Sequence, residues 1–148
     1  MFKRSMARVG AAGAALGTLL AVIVVAPVNA APVRFPVDVV VHTDFSAEVS
    51  LFEGNIPGCE TGTVVEGAGG SHFTPWGGVF VGVKEFTCDS GVGGFDLRVT
   101  ARFGEPGSTG TWTLIEGRGA YEGVKASGSL VGTITDIGID DRYTGSAR

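Results

Sequence analysis

The side chains able to do chemistry are few and scattered. His42 and His72 are the only imidazoles, and neither has a second histidine or a cysteine at ligand spacing. A zinc centre needs three or four converging donors, so no metal and no cofactor are expected. The G-x-S-x-G elbow that exposes a serine nucleophile in one class of esterases is absent. Asp136, Asp140 and Asp141 cluster near the end of the chain but lack the ordered loop and closing glutamate of a calcium site, so a solvated acidic turn is expected. Asp96, Arg98 and Arg102, with Glu85 on a neighbouring segment, could activate a substrate by proton transfer or charge stabilisation if they lined a cavity. On the outside of a barrel the same four are a solvated face with weak ion pairs, and that placement is favoured because a barrel without surrounding helices must show water its polar face. Tyr121 and Tyr143 could donate into a cavity, although Tyr121 reads first as a packing residue. Phe73 and Trp76, within GGSHFTPWGG, could gate a cavity mouth or fold back on their own loop.

The elements that position these groups must come from one small domain. Residues 1–30 of the 148 combine a basic start, MFKRSMAR, with a small and apolar run ending in LLAVIVVA and with Val28 and Ala30 at the positions a signal peptidase reads. Cleavage after Ala30 is expected, with Ala31 a near alternative and an uncleaved anchor the competing reading. The exported domain then spans residues 31–148. Loss of Lys3, Arg4 and Arg8 from the 11 basic residues leaves 8 against 15 acidic ones, a formal charge of −7. A chain of that sign lacks the clustered cations that bind phosphate backbones, so nucleic acid is excluded as a partner. No later segment is long and apolar enough for stable membrane insertion. Cys59 and Cys88 both fall in the exported part, where a disulfide persists, and they are expected to be paired.

Apolar residues alternate with period two through most of the exported chain, the mark of half-buried strands. Val37, Val39 and Val41 share a face, as do Ala47, Val49 and Leu51. Around Phe80 both faces are apolar, which predicts a central strand. The cleanest case is FDLRVTARF, where Phe95, Leu97, Val99, Ala101 and Phe103 oppose Asp96, Arg98, Thr100 and Arg102. Trp112 and Leu114, then SLVGTITD, then a last segment ending near Arg142 and Tyr143 continue the pattern. The segments GNIPG, GAGGSHFTPWGG, DSGVGG, GEPGSTG and DIGIDD read as turns. No stretch of the exported chain carries a helical stripe. Seven or eight antiparallel strands at this spacing imply an all-β sandwich or a closed barrel, and closure removes exposed edges.

The segment IEGRGAYEGVKASGSLVG, residues 115–132, combines glycines that permit a tight turn with an aromatic that can anchor it. Gly117, Gly119, Tyr121, Glu122, Gly123 and Val124 resemble the G-x-G-x-[FY]-E-G-V pattern of the allene oxide cyclase barrel, and the related dirigent proteins carry a similar stretch. The resemblance covers residues 110–145. It implies a single eight-stranded antiparallel barrel with a ligand cavity, in a small secreted member of that superfamily. No motif matches the cyclase's cavity residues, so its catalytic residues are not carried over.

Three functions follow for such a barrel. The first is binding of a small apolar molecule without catalysis, the apolar strand faces forming the walls and Phe80, Leu97, Val99, Trp112 and Tyr121 touching the ligand. The second is an isomerase or cyclase, in which a few polar groups orient a reactive intermediate in the same cavity. The third is an extracellular protein-interaction module built on a filled barrel. An empty cavity separates the first two from the third, and convergent polar groups inside it separate the second from the first.

Overall fold

A computed structural model describes residues 33–148, and the expected leader lies outside the described residues. The described chain is all β. Eight strands, β1 (Phe35–Asp44), β2 (Ser50–Gly54), β3 (Thr61–Thr74), β4 (Gly77–Cys88), β5 (Gly93–Gly104), β6 (Gly107–Gly119), β7 (Ala126–Ile134) and β8 (Gly138–Ala147), follow one another around a closed antiparallel barrel. The ring closes where β8 pairs with β1 along its whole length, Phe35 opposite Ala147 and Asp44 opposite Gly138.

The alternation explains which face turns inward. On β5, Phe95, Leu97, Val99 and Ala101 are buried while Arg98, Thr100 and Arg102 are exposed, as the sequence pattern requires. Val37, Val39 and Val41 of β1, Phe80 and Phe86 of β4, Trp112 of β6, Leu130 of β7 and Tyr143 of β8 complete the interior. Large interior rings need small residues opposite them. A β-carbon at Gly145 would press on the Trp112 indole, which lets the Trp112 Nε1 donate to the carbonyls of Ser129 and Thr144 at 3.0 and 3.2 Å.

Two local expectations are corrected. Ala47 and Val49 do not belong to a strand. After Asp44 the chain turns, with the Asp44 carboxylate accepting from the Ser46 amide and hydroxyl at 2.8 and 2.7 Å, so β2 starts only at Ser50. Phe52 is then the inward residue, and Leu51 points to solvent. The segment GAGGSHFTPWGG is mostly strand, not loop. β3 runs on to Thr74, and its glycines form a bulge between Glu66 and Gly69, where the register against β4 shifts and Gly69 adopts a φ of 108°.

The two ends of the barrel differ. At one end the connection between β2 and β3 is strapped to the end of β4 by the Cys59–Cys88 disulfide. Here Ile56, Phe86, Phe95 and Tyr121 fill the interior, and the Tyr121 hydroxyl donates to the Pro57 carbonyl at 2.9 Å. Tyr121 therefore packs and seals; it sits in the turn between β6 and β7, with Gly119 and Gly123 at φ of 61° and 76° on either side. At the other end four turns, 45–49, 75–76, 105–106 and 135–137, leave the barrel open.

Candidate functional site

The open end leads into a cavity of about 410 Å³. Phe80 of β4, Val99, Ala101 and Phe103 of β5, Leu130 of β7 and Tyr143 of β8 supply its apolar walls. At the sealed end the leftover space is about 30 Å³, room for roughly one water. Tyr143 borders both spaces and forms the floor between them, its ring edge-on to Phe86 at 6.0 Å. A larger groove of about 640 Å³ lies where β6 beyond Thr113 parts from β7, but it gathers backbone and solvated ends such as Arg34, Lys125 and Arg148.

Polar groups enter the apolar cavity at interior strand positions. Lys84 follows Gly82 and precedes Phe86 on the inward face of β4, with its side chain only 12% exposed. Its Nζ lies 2.6 Å from Glu66 Oε1 of β3 and 4.7 Å above the centre of the Phe80 ring. From β8, Asp141 takes the inward position two residues before Tyr143, and the Ser108 hydroxyl of β6 donates to its Oδ1 at 2.5 Å. Space for this pair is provided by Gly132 of β7, where a β-carbon would overlap both Asp141 Oδ1 and Ser108 Oγ.

Asp141 is thus not part of a solvated acidic turn: the strand pairing of β8 with β1 and β7 carries it indoors, leaving Asp136 outside and Asp140 on the outer face against His42 Nδ1 at 2.8 Å. Burial pushes the Asp141 carboxyl above its ordinary range; Ser108 and Lys84 pull it back, and Asp140 adds to the rise. Burial likewise holds the Tyr143 phenol far above its usual value, with Asp141 and Glu66 adding to it.

The Asp141 shift fixes the sign of its contribution to stability. Its folded pKa exceeds its unfolded one, so the stabilising effect is complete below the ordinary carboxylate range and is lost as pH rises through the folded value. Asp141→Asn keeps an acceptor for Ser108 and removes the charge. It is expected to be more stable than the parent near neutral pH, by on the order of 1 kcal/mol, with the difference vanishing in acid. Urea unfolding of both proteins from pH 3 to 8 measures this.

Of the residues expected to touch ligand, Phe80 and Val99 line the open cavity, whereas Leu97, Trp112 and Tyr121 lie in the filled end. The polar set read from the sequence stays outside the cavity lining. Arg98 and Arg102 face solvent, and Asp96 pairs with Arg118, which also donates to the Phe86 carbonyl at 3.1 Å. Glu85 takes the opposite strand face from Lys84, beside Gly67.

The mouth itself is apolar. Phe73 at 79% exposure and Trp76 at 92% stand on the β3–β4 hairpin, Phe45 on the β1–β2 turn, and Ile134 and Ile137 at the β7–β8 turn. Phe73 does not fold onto its own loop; it meets Phe103 of β5 edge-on at 5.5 Å and lines the cavity entrance. The Phe45 amide donates to the Ile137 carbonyl at 3.1 Å, which ties two rim turns together. Among the described residues no cluster of three or more metal-ligating side chains occurs. No family model, curated protein or solved structure matches this chain.

Proposed function

We propose that the protein is an exported barrel that binds a small, largely apolar molecule in its open cavity. One observation carries this reading: the barrel is packed at one end and hollow at the other, with about 410 Å³ of apolar-walled space behind an apolar rim. That volume lies within the range of sites for small organic ligands. An interior built only as a scaffold gains nothing from leaving such a space, because every lining atom forgoes packing contacts. The Cys59–Cys88 bridge accords with an oxidising compartment outside the cell, and the closed eight-stranded barrel accords with the resemblance to the allene oxide cyclase and dirigent proteins.

A second reading has its own observation. Asp141, Ser108 and Lys84 converge in the cavity, and a buried carboxyl with a raised pKa beside an ammonium is the equipment of proton-transfer catalysis. In that case the protein is an isomerase or cyclase, with Asp141 taking or giving the proton.

Calorimetric titration with ten-carbon aliphatic and bicyclic aromatic probes tests the reading, together with Ala101→Trp, which fills the cavity from the β5 wall. The parent is expected to bind at least one probe and the variant none, at least about a tenfold loss, with an unchanged far-ultraviolet spectrum. Binding unaffected by Ala101→Trp would overturn the cavity assignment. Mass-spectrometric detection of a rearranged product, lost in Asp141→Asn, would establish the enzyme instead.

A further inference from the structure

Resting on the cavity reading above, we infer that the ligand is uncharged and carries a hydroxyl group, which the cavity receives between Lys84 and Asp141. The argument is one of charge balance. Two carboxylates, Glu66 and Asp141, and one ammonium, Lys84, line the same apolar space. Lys84 already neutralises Glu66 at 2.6 Å. A ligand carboxylate would share Lys84, whose charge Glu66 already balances, and would lie beside the Asp141 carboxylate. A ligand ammonium would pair with Asp141 but would face Lys84, which lines the same space. Lys84 is only 12% exposed and Asp141 is half-buried, so repulsion from either is poorly screened, whereas Glu66, at 60% exposure, adds little.

A hydroxyl meets neither obstacle and uses what each group leaves free. The Lys84 ammonium has three protons and spends one on Glu66, so it can donate to the ligand oxygen. Ser108 occupies one oxygen of Asp141; among the described residues the other accepts no hydrogen bond, so it can take the ligand's proton. The place for an inward carboxylate is built into the fold, since any residue larger than glycine at position 132 would displace Asp141 or Ser108. The rest of the ligand then lies along Phe80, Val99, Ala101, Phe103 and Leu130 toward the rim.

The test compares four probes with the same chain: 1-decanol, its methyl ether, decanoate and decylammonium, each titrated into the full exported domain by calorimetry at pH 7. Decanol is expected to bind at least about tenfold more tightly than either charged probe, and about fivefold or more above the ether, which cannot donate. In Asp141→Asn the decanoate affinity is expected to rise about tenfold, while decanol, whose proton then meets an amide NH2 instead of a carboxylate oxygen, is expected to fall about fivefold, to the level of the ether. Decanoate or decylammonium binding as well as decanol, an ether equal to the alcohol, or a decanoate affinity indifferent to Asp141→Asn would each overturn the hydroxyl assignment while leaving the cavity in use. If no probe binds the parent, the cavity reading itself fails.

Discussion

Replacing both Cys59 and Cys88 by alanine is expected to lower unfolding stability by about 3 to 4 kcal/mol, because the bridge closes a loop across a sequence separation of 29 in the unfolded chain. That is a large part of the roughly 5 to 15 kcal/mol available to a small domain. The strap also acts where the ring is weakest. β2 pairs with β1 only over Val39–His42 and with β3 only over Ser50–Glu53, and Cys59 follows soon after it. Around the bridge, the Asp89 amide donates to the Thr61 carbonyl at 3.1 Å, Thr61 Oγ1 to Asp89 Oδ2 at 2.9 Å, and the Ser90 hydroxyl to the Gly58 carbonyl at 2.5 Å. Chemical unfolding of the variant against the oxidised parent measures the loss. A difference below about 1 kcal/mol would mean that these hydrogen bonds hold the sealed end unaided.

Leu97→Asp is expected to abolish folding or to cost about 4 kcal/mol or more. Leu97 is 4% exposed inside the filled half, so the variant loses an apolar side chain and buries a carboxylate with no cation assigned to meet it. Arg98→Ala and Arg102→Ala, one residue to either side of the inward positions Leu97, Val99 and Ala101, face solvent and should stay within about 0.5 kcal/mol of the parent. Thermal and urea unfolding of the three variants provides the comparison. A tolerated aspartate at 97 would show that the sealed end is wetter than its packing indicates.

The contrast between these neighbours marks what sequence alone makes legible. Strict alternation in FDLRVTARF identifies the inward face, because a half-buried strand has only two sides and one of them is apolar throughout. The site was harder to see. Lys84, Glu66 and Asp141 are charged, and reading residue type sends them outward. Parity sends two of them in, Lys84 two residues from Phe86 and Asp141 two from Tyr143, while Glu66 is 60% exposed and reaches Lys84 from β3. A charge standing in the apolar register of a strand is the signal that would have located the cavity wall. β2 and β3 depart from the sequence pattern for a different reason. Tertiary pairing turned a glycine-rich stretch into strand with a bulge, and a side-chain turn at Asp44 removed Ala47 and Val49 from the sheet.

The unlike ends of the barrel also give the molecule two distinct optical reporters. Trp76 stands in water at the rim, whereas Trp112 is enclosed, with its indole nitrogen held by two carbonyls. Their emission therefore differs in colour and in access to a soluble quencher. On the proposed binding reading, a ligand at the mouth is expected to perturb the red, quenchable indole, and loss of the fold is expected to release the blue, protected one. Occupancy and unfolding thus report through separate tryptophans, with no label added to a cavity that a label would fill.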